Sequence, residues 1–208
     1  MTISMWIAFF INSNYSLHWN FYGIQPRTWS GLMGILFSPF LHANFGHLFH
    51  NSTAIFFTYS LVFYYFPTKS KDILLWIWFF SGLGVWLFGK FYSNHLGASG
   101  LVYGLVFFLI FSGFFIKNRN MWAMALLMIF LYGSLVWGLF PQIHPITGNR
   151  ISWEGHLCGA LTGFTLSVIF KKHGPKSDME KYFEGEEEDE EDEEEISTTN
   201  EDLFEIDL

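Results

Sequence analysis

Long apolar runs alternate along this chain with short polar breaks. A membrane-crossing helix needs roughly 20 predominantly apolar residues. Five segments meet or approach that length, at about 47–66, 73–89, 99–116, 121–140 and 156–170. The last is short, but it extends backward through Trp153. A sixth run, 3–11, is about half a span and then meets Asn12 and Asn14. It lacks the basic n-region and small-residue cleavage site of a signal peptide. It reads instead as the end of a first membrane helix, truncated at its start or truly short. Pro67 closes the second span and Gly174-Pro175 close the last. The pattern predicts an all-α fold, a polytopic membrane bundle of six transmembrane helices.

The breaks between runs are unequal. "PTKSKD" and "KNRN" are short polar turns, whereas 13–46 is long and rich in aromatics, Pro and Gly. Within it "WSGLMGILFSPFLH" is apolar enough to lie in the membrane interface.

Charge divides the chain in two. From Asp178 onward there are 17 acidic residues and one basic residue, Lys181, while the body before it holds ten Lys/Arg and only Asp72 and Glu154. A body of net charge +8 thus carries a tail of −16, and the formal charge of −8 describes neither. Residues 1–176 read as one membrane domain and 177–208 as an acidic cytoplasmic tail, since "EGEEEDEEDEEE" cannot bury enough apolar surface to fold alone. Such a tail is ordinarily just solvated; its end, "DLFEIDL", offers a docking motif for a cytoplasmic partner. With the N-terminus inside, the inner loops hold seven basic residues and the outer loops three, Arg27, Lys90 and Arg150. Basic residues favour the cytoplasmic side, so both termini are expected there. The single Cys158 excludes an intramolecular disulfide. A lipid bilayer is the expected environment, and neither nucleic acid nor a cofactor is expected.

Ionisable and polar side chains inside spans are costly and mark candidate sites. Here they gather at one depth. His42, His47, His50 and Asn51 lie at the outer end of the second span, His95 and Ser99 at that of the fourth, and His156 at that of the sixth. His47 and Asn51 are four apart and share a helical face, as do Ser99 and Tyr103. Gly100 and Gly104 form a GxxxG pattern, answered on the sixth span by Gly155, Gly159 and Gly163. Such faces allow close helix approach, which would carry His156 toward Ser99. A serine beside a histidine base is a minimal activated nucleophile. The Ser99 N–H, at a helix N-terminus, with His47 and Asn51, supplies donors for an oxyanion. Two other readings stand beside this one: each small residue as ordinary helix packing, and His42, His47 and His50 as metal ligands, although no Asp or Glu lies among them and the spacing is not HExxH. A transporter reading finds no acidic residue in the spans to carry protons.

The ordered set "HANFGHLFHN", "GASGLVYG" and "WEGHLCGALTG" resembles the rhomboid intramembrane serine proteases, and "RTWSGLMGILFSPFLH" resembles the first loop of bacterial members. The resemblance covers about residues 5–170. It implies a serine-type endopeptidase of a bacterial cell membrane that cleaves transmembrane segments of other proteins. Ser99 would be the nucleophile and His156 the general base, with no acidic third member and no metal. His47, Asn51 and the Ser99 N–H would form the oxyanion hole. Tyr103 would pack on the His156 ring, Gly97 and Gly100 would permit the turn around the nucleophile, and His42 would be structural. Glu154, two residues before His156, is not expected to complete a triad. Some rhomboid-like proteins are catalytically silent and bind membrane helices; they lose the serine or the histidine, and this chain keeps both.

Overall fold

The structure, a computed structural model, describes residues 1–141, 152–179 and 182. Among these residues the fold is all helix, with no strand. Seven α-helices follow in order: α1 Thr2–Asn14, α2 Trp29–Phe37, α3 Phe45–Tyr65, α4 Ser70–Phe88, α5 Ser99–Phe115, α6 Arg119–Tyr132 and α7 Trp153–Phe170. Five of them follow the five long apolar runs, α1 the half-span, and α2 the interfacial stretch. The acidic run "EGEEEDEEDEEE" and the terminal "DLFEIDL" lie outside the described residues.

Local chemistry starts these helices where the sequence changes character. Side-chain oxygens of Thr28, Asn44 and Asn118 accept from backbone N–H groups of the first turns of α2, α3 and α6, each a standard N-cap. α6 does not stop at Gly133 but tightens into a 3-10 helix, Gly133–Leu139. Together they make one apolar rod, Arg119–Leu139. That rod and α4 are long and apolar enough to cross a membrane on length and composition alone, whereas α5 at 17 residues is shorter. The exterior points the same way. Phe56, Phe63, Phe88, Leu161 and Ile169 all face outward, and Phe130 is 85% exposed. Apolar surface on this scale is unsuited to water and matches the hydrocarbon of a bilayer.

α5 is the central helix. Leu101, Val102, Leu105, Phe108 and Leu109 are buried on all its sides, with α3, α4, α6 and α7 around it. Its tightest neighbour is α7, and small residues are the cause. A Cβ on Gly159 would meet the carbonyl of Gly100, and one on Gly163 the carbonyl of Gly104. Reciprocally, a Cβ on Gly104 would come within 3.2 Å of the Gly159 carbonyl, and one on Gly100 within 3.1 Å of that of Gly155. Backbone therefore lies on backbone over two helical turns. On the opposite flank Gly113 admits Ala125 of α6.

The long first loop is clamped rather than loose. Trp78 and Trp86 of α4 donate indole N–H bonds to the carbonyls of Ile35 and Thr28, each at 2.8 Å. Arg27 donates to the last carbonyls of α4, Leu87 at 2.7 Å and Gly89 at 2.8 Å, with its guanidinium 4.5 Å above the Phe91 ring. Cationic donors at a helix C-terminus satisfy carbonyls left without partners there. Where the loop turns into α3, His42 is 2% exposed, with its ring 5.1 Å from that of His47. Neither His42 ring nitrogen has a hydrogen-bond partner among the described residues. Burial, reinforced by His47, lowers its pKa from 6.5 to about 4; the Phe40 backbone opposes the shift without forming a bond of good geometry.

Two expectations follow. Gly163→Ala should destabilise the fold by about 1–3 kcal/mol, because the added methyl displaces a backbone and not a flexible side chain. Thermal unfolding in detergent reads this, and Gly46→Ala, whose Cβ would meet nothing closer than 3.5 Å, serves as the control that leaves the midpoint in place. The second concerns pH. The unfolded chain binds the His42 proton more tightly than the fold does, so stability is present above pH 6.5 and is lost as the pH falls toward about 4. His42→Leu should flatten part of that loss in the same measurement.

Candidate active site

The site is assembled where α5 begins. Ser99 is its first residue, and the preceding Ala98 has no side-chain oxygen to cap the helix. The turn before it rests on Gly97, whose φ of +96° suits glycine, and whose N–H donates to the Ser38 carbonyl at 3.0 Å. A Cβ at Gly97 would lie 2.7 Å from His47 Nε2 and 3.3 Å from Asn51 Nδ2. The glycine thus lets both side chains of α3 close on the turn. Of its two expected roles Gly100 fills the helix-packing one, and the turn rests on Gly97. Gly100 lies inside α5, and its small size serves the contact with α7.

α7 carries His156 to the same point. Its Nε2 lies 2.9 Å from Ser99 Oγ, and its Nδ1 lies 2.9 Å from the Gly138 carbonyl oxygen. A carbonyl can only accept, so Nδ1 carries the proton and Nε2 is left as the acceptor for the serine hydroxyl. The Tyr103 ring stacks on the imidazole, centroids 4.1 Å apart and planes within 5°. Tyr103 is itself held by a 2.9 Å bond from its hydroxyl to the Leu135 carbonyl. The imidazole is therefore fixed in tautomer by one carbonyl and in plane by one ring. Glu154 is not its partner, since Nδ1 is engaged by Gly138.

Asn51 Nδ2 is buried and has no hydrogen-bond partner among the described residues. His47, Asn51, Ser99, Tyr103 and His156 all line one open cavity of about 1300 Å³, with Glu154 in its wall. In chemical terms this is a hydroxyl bonded to an unprotonated imidazole nitrogen beside an unspent amide donor, the arrangement that general-base activation and oxyanion stabilisation require. His50 also lines the cavity, but no three His, Cys, Asp or Glu side chains gather as a metal-binding group among the described residues. Cys158 stands apart, packed against Gly84 of α4.

The two carbonyls that hold the His156–Tyr103 pair were not anticipated. Both come from the 3-10 end of α6, which the hydropathy pattern absorbs into a single span. The glycine at 138 was the available signal: a Cβ there would strike the Tyr103 hydroxyl.

A sequence model of the rhomboid domain matches residues 29–173. An uncharacterized protein of Mycobacterium tuberculosis is 35% identical over 157 residues, covering 71% of this chain and 62% of its own length. One from Mycobacterium leprae is 34% identical over 152 residues, covering 71% and 59%. This chain thus spans less than two thirds of the mycobacterial relatives it matches. A putative rhomboid protein of Acanthamoeba polyphaga mimivirus is 29% identical over 149 residues, covering 69% of this chain and 78% of its own. The domain match takes in every helix from α2 to α7, and with it Ser99, His156, His47 and Asn51, so the chain belongs to the rhomboid family.

Proposed function

We propose that this protein is an intramembrane serine endopeptidase that cleaves transmembrane segments of membrane proteins with a Ser99–His156 dyad. The observation that carries the reading is the 2.9 Å contact between Ser99 Oγ and a His156 nitrogen left unprotonated by its neighbour's bond to Gly138. Family membership supports it independently.

The chemistry then runs as acyl transfer. Ser99 Oγ attacks the scissile carbonyl carbon, and His156 Nε2 takes the hydroxyl proton. The carbonyl oxygen becomes an oxyanion, held by Asn51 Nδ2, His47 and the Ser99 N–H. Collapse expels the amine, which receives the proton from His156. A water, deprotonated by the same nitrogen, hydrolyses the ester and restores the serine. Tyr103 keeps the ring in plane throughout. The substrate helix unwinds near its outer end and enters laterally past α6, beneath the first loop.

The membrane arrangement belongs to the same proposal. Six helices, α1 and α3 to α7, cross the bilayer, with α2 in the outer interface. The site then opens near the outer surface, and both termini are cytoplasmic, in keeping with seven inner against three outer basic residues. Residues 1–176 form the membrane domain and 177–208 a tail available to a cytoplasmic partner. The competing reading is a catalytically silent rhomboid-like protein that binds membrane helices. Retention of serine, histidine and both α3 donors in one cavity favours the enzyme.

Reconstitution in liposomes with a transmembrane reporter separates the two. Ser99→Ala and His156→Ala should abolish cleavage, and wild type alone should be labelled by a fluorophosphonate. Cleavage that survives Ser99→Ala would end the protease reading. Asn51→Ala should lower kcat on the order of 10²–10³, as expected for loss of one oxyanion donor. An unchanged kcat would remove Asn51 from the oxyanion hole without touching the dyad.

A further inference from the structure

His95 is a buried imidazole that the dyad leaves unused. It lies four residues before Ser99, in the loop that forms the nucleophile turn. Its backbone is pinned to the first loop by paired bonds with Ile24, N–H to carbonyl in both directions at 3.0 Å. Its ring bridges two hydroxyls. Nδ1 lies 2.6 Å from Ser152 Oγ and Nε2 lies 2.7 Å from Ser93 Oγ. Gly89 makes room for the ring, for a Cβ there would come within 3.1 Å of Nε2.

The proton directions can be worked out. The Ser93 hydroxyl donates to the Lys90 carbonyl, so its oxygen accepts from His95 Nε2–H. Nδ1 is then the acceptor, and the Ser152 hydroxyl donates to it. This chain requires a neutral ring. Burial keeps the His95 pKa below its usual value, with the Glu154 carboxylate pulling the other way.

Ser152 is the N-cap position of α7, yet its side chain caps nothing in the helix; it is committed to His95. Its carbonyl accepts from the His156 N–H at 3.3 Å, one turn on. A single imidazole therefore ties the loop that presents the nucleophile to the helix end that presents the base. The Gly100–Gly159 and Gly104–Gly163 contacts fix how closely α5 and α7 approach. A small slide of α7 along its own axis would lengthen the Ser99–His156 bond. The His95–Ser152 bond opposes that slide.

We propose that His95 is a positioning residue for the Ser99–His156 pair, acting through the Ser152 hydroxyl. The inference rests on the protease reading above. The test compares wild type with Ser152→Ala, Ser152→Thr, His95→Phe and the double variant His95→Phe/Ser152→Ala, each reconstituted with the transmembrane reporter. Ser152→Ala and His95→Phe should lower kcat about 10–100-fold with KM changed less than about twofold, the signature of a misplaced reacting pair with intact substrate binding. Ser152→Thr keeps the hydroxyl and should keep most of the rate. The double variant should be no slower than the slower single one, because both remove one bond. Wild-type kcat in folded Ser152→Ala, a Ser152→Thr as slow as Ser152→Ala, or a loss confined to KM would each overturn the proposal. Should His95→Phe not fold, the Ser152 pair decides alone. A wild type that never cleaves the reporter overturns the protease reading and this inference with it, whereas an active wild type with indifferent Ser152 variants overturns this inference only.

Discussion

The approach of α5 to α7 is the constraint on which the rest depends. Gly100, Gly104, Gly159 and Gly163 remove the side chains that would hold the two backbones apart. In lipid no hydrophobic force drives one helix onto another, so packing of this kind has to supply the association. It also brings Ser99 and His156 together. Ser99 and His156 stand in the first turns of the same two helices, and the glycine contacts bring those helices close enough for the 2.9 Å bond between them. A bulkier interface would leave the hydroxyl and the imidazole on neighbouring helices but beyond reach.

Around that pair the protein uses its loops as fasteners. The first loop is tied to α4 by Arg27, Trp78 and Trp86, and to the turn before Ser99 through Ile24 and Ser38. The 3-10 end of α6 is tied to His156 and to its stacking partner Tyr103 by two carbonyls. Loop residues such as Ala43, Ser93, Asn94 and Leu96 thus line the cavity together with the helices.

Much of this was legible in residue order. The apolar runs located the helices because each is bounded by strong punctuation: Pro67, the polar "KNRN", and the Asn residues that became caps. Ser99, His156, His47 and Asn51 stood out because polar groups at one depth in apolar runs are costly, and glycine spacing showed which helices could meet. Other features were hidden for a physical reason. The Gly138 and Leu135 carbonyls are backbone groups, present at every residue, and nothing in a sequence says which of them will be left unpaired. The His95–Ser152 bond joins residues 57 apart through a fold no local pattern encodes. Gly100 carried two expectations, since a turn and a tight helix contact ask for the same residue, and its spacing to Gly104 pointed to the second.

The third group behind the imidazole is a carbonyl oxygen where a water-exposed hydrolase would commonly keep a carboxylate. A carboxylate at that depth would be an ion in a medium that solvates ions poorly, and the fold would have to compensate it with further polar groups. The carbonyl orients the ring by the same hydrogen bond and never ionises. Orientation of the His156 ring thereby depends on no group that gains or loses a proton. The chain gives up the electrostatic stabilisation that an anion would lend to an imidazolium, and in exchange the ring is oriented by a group that carries no charge.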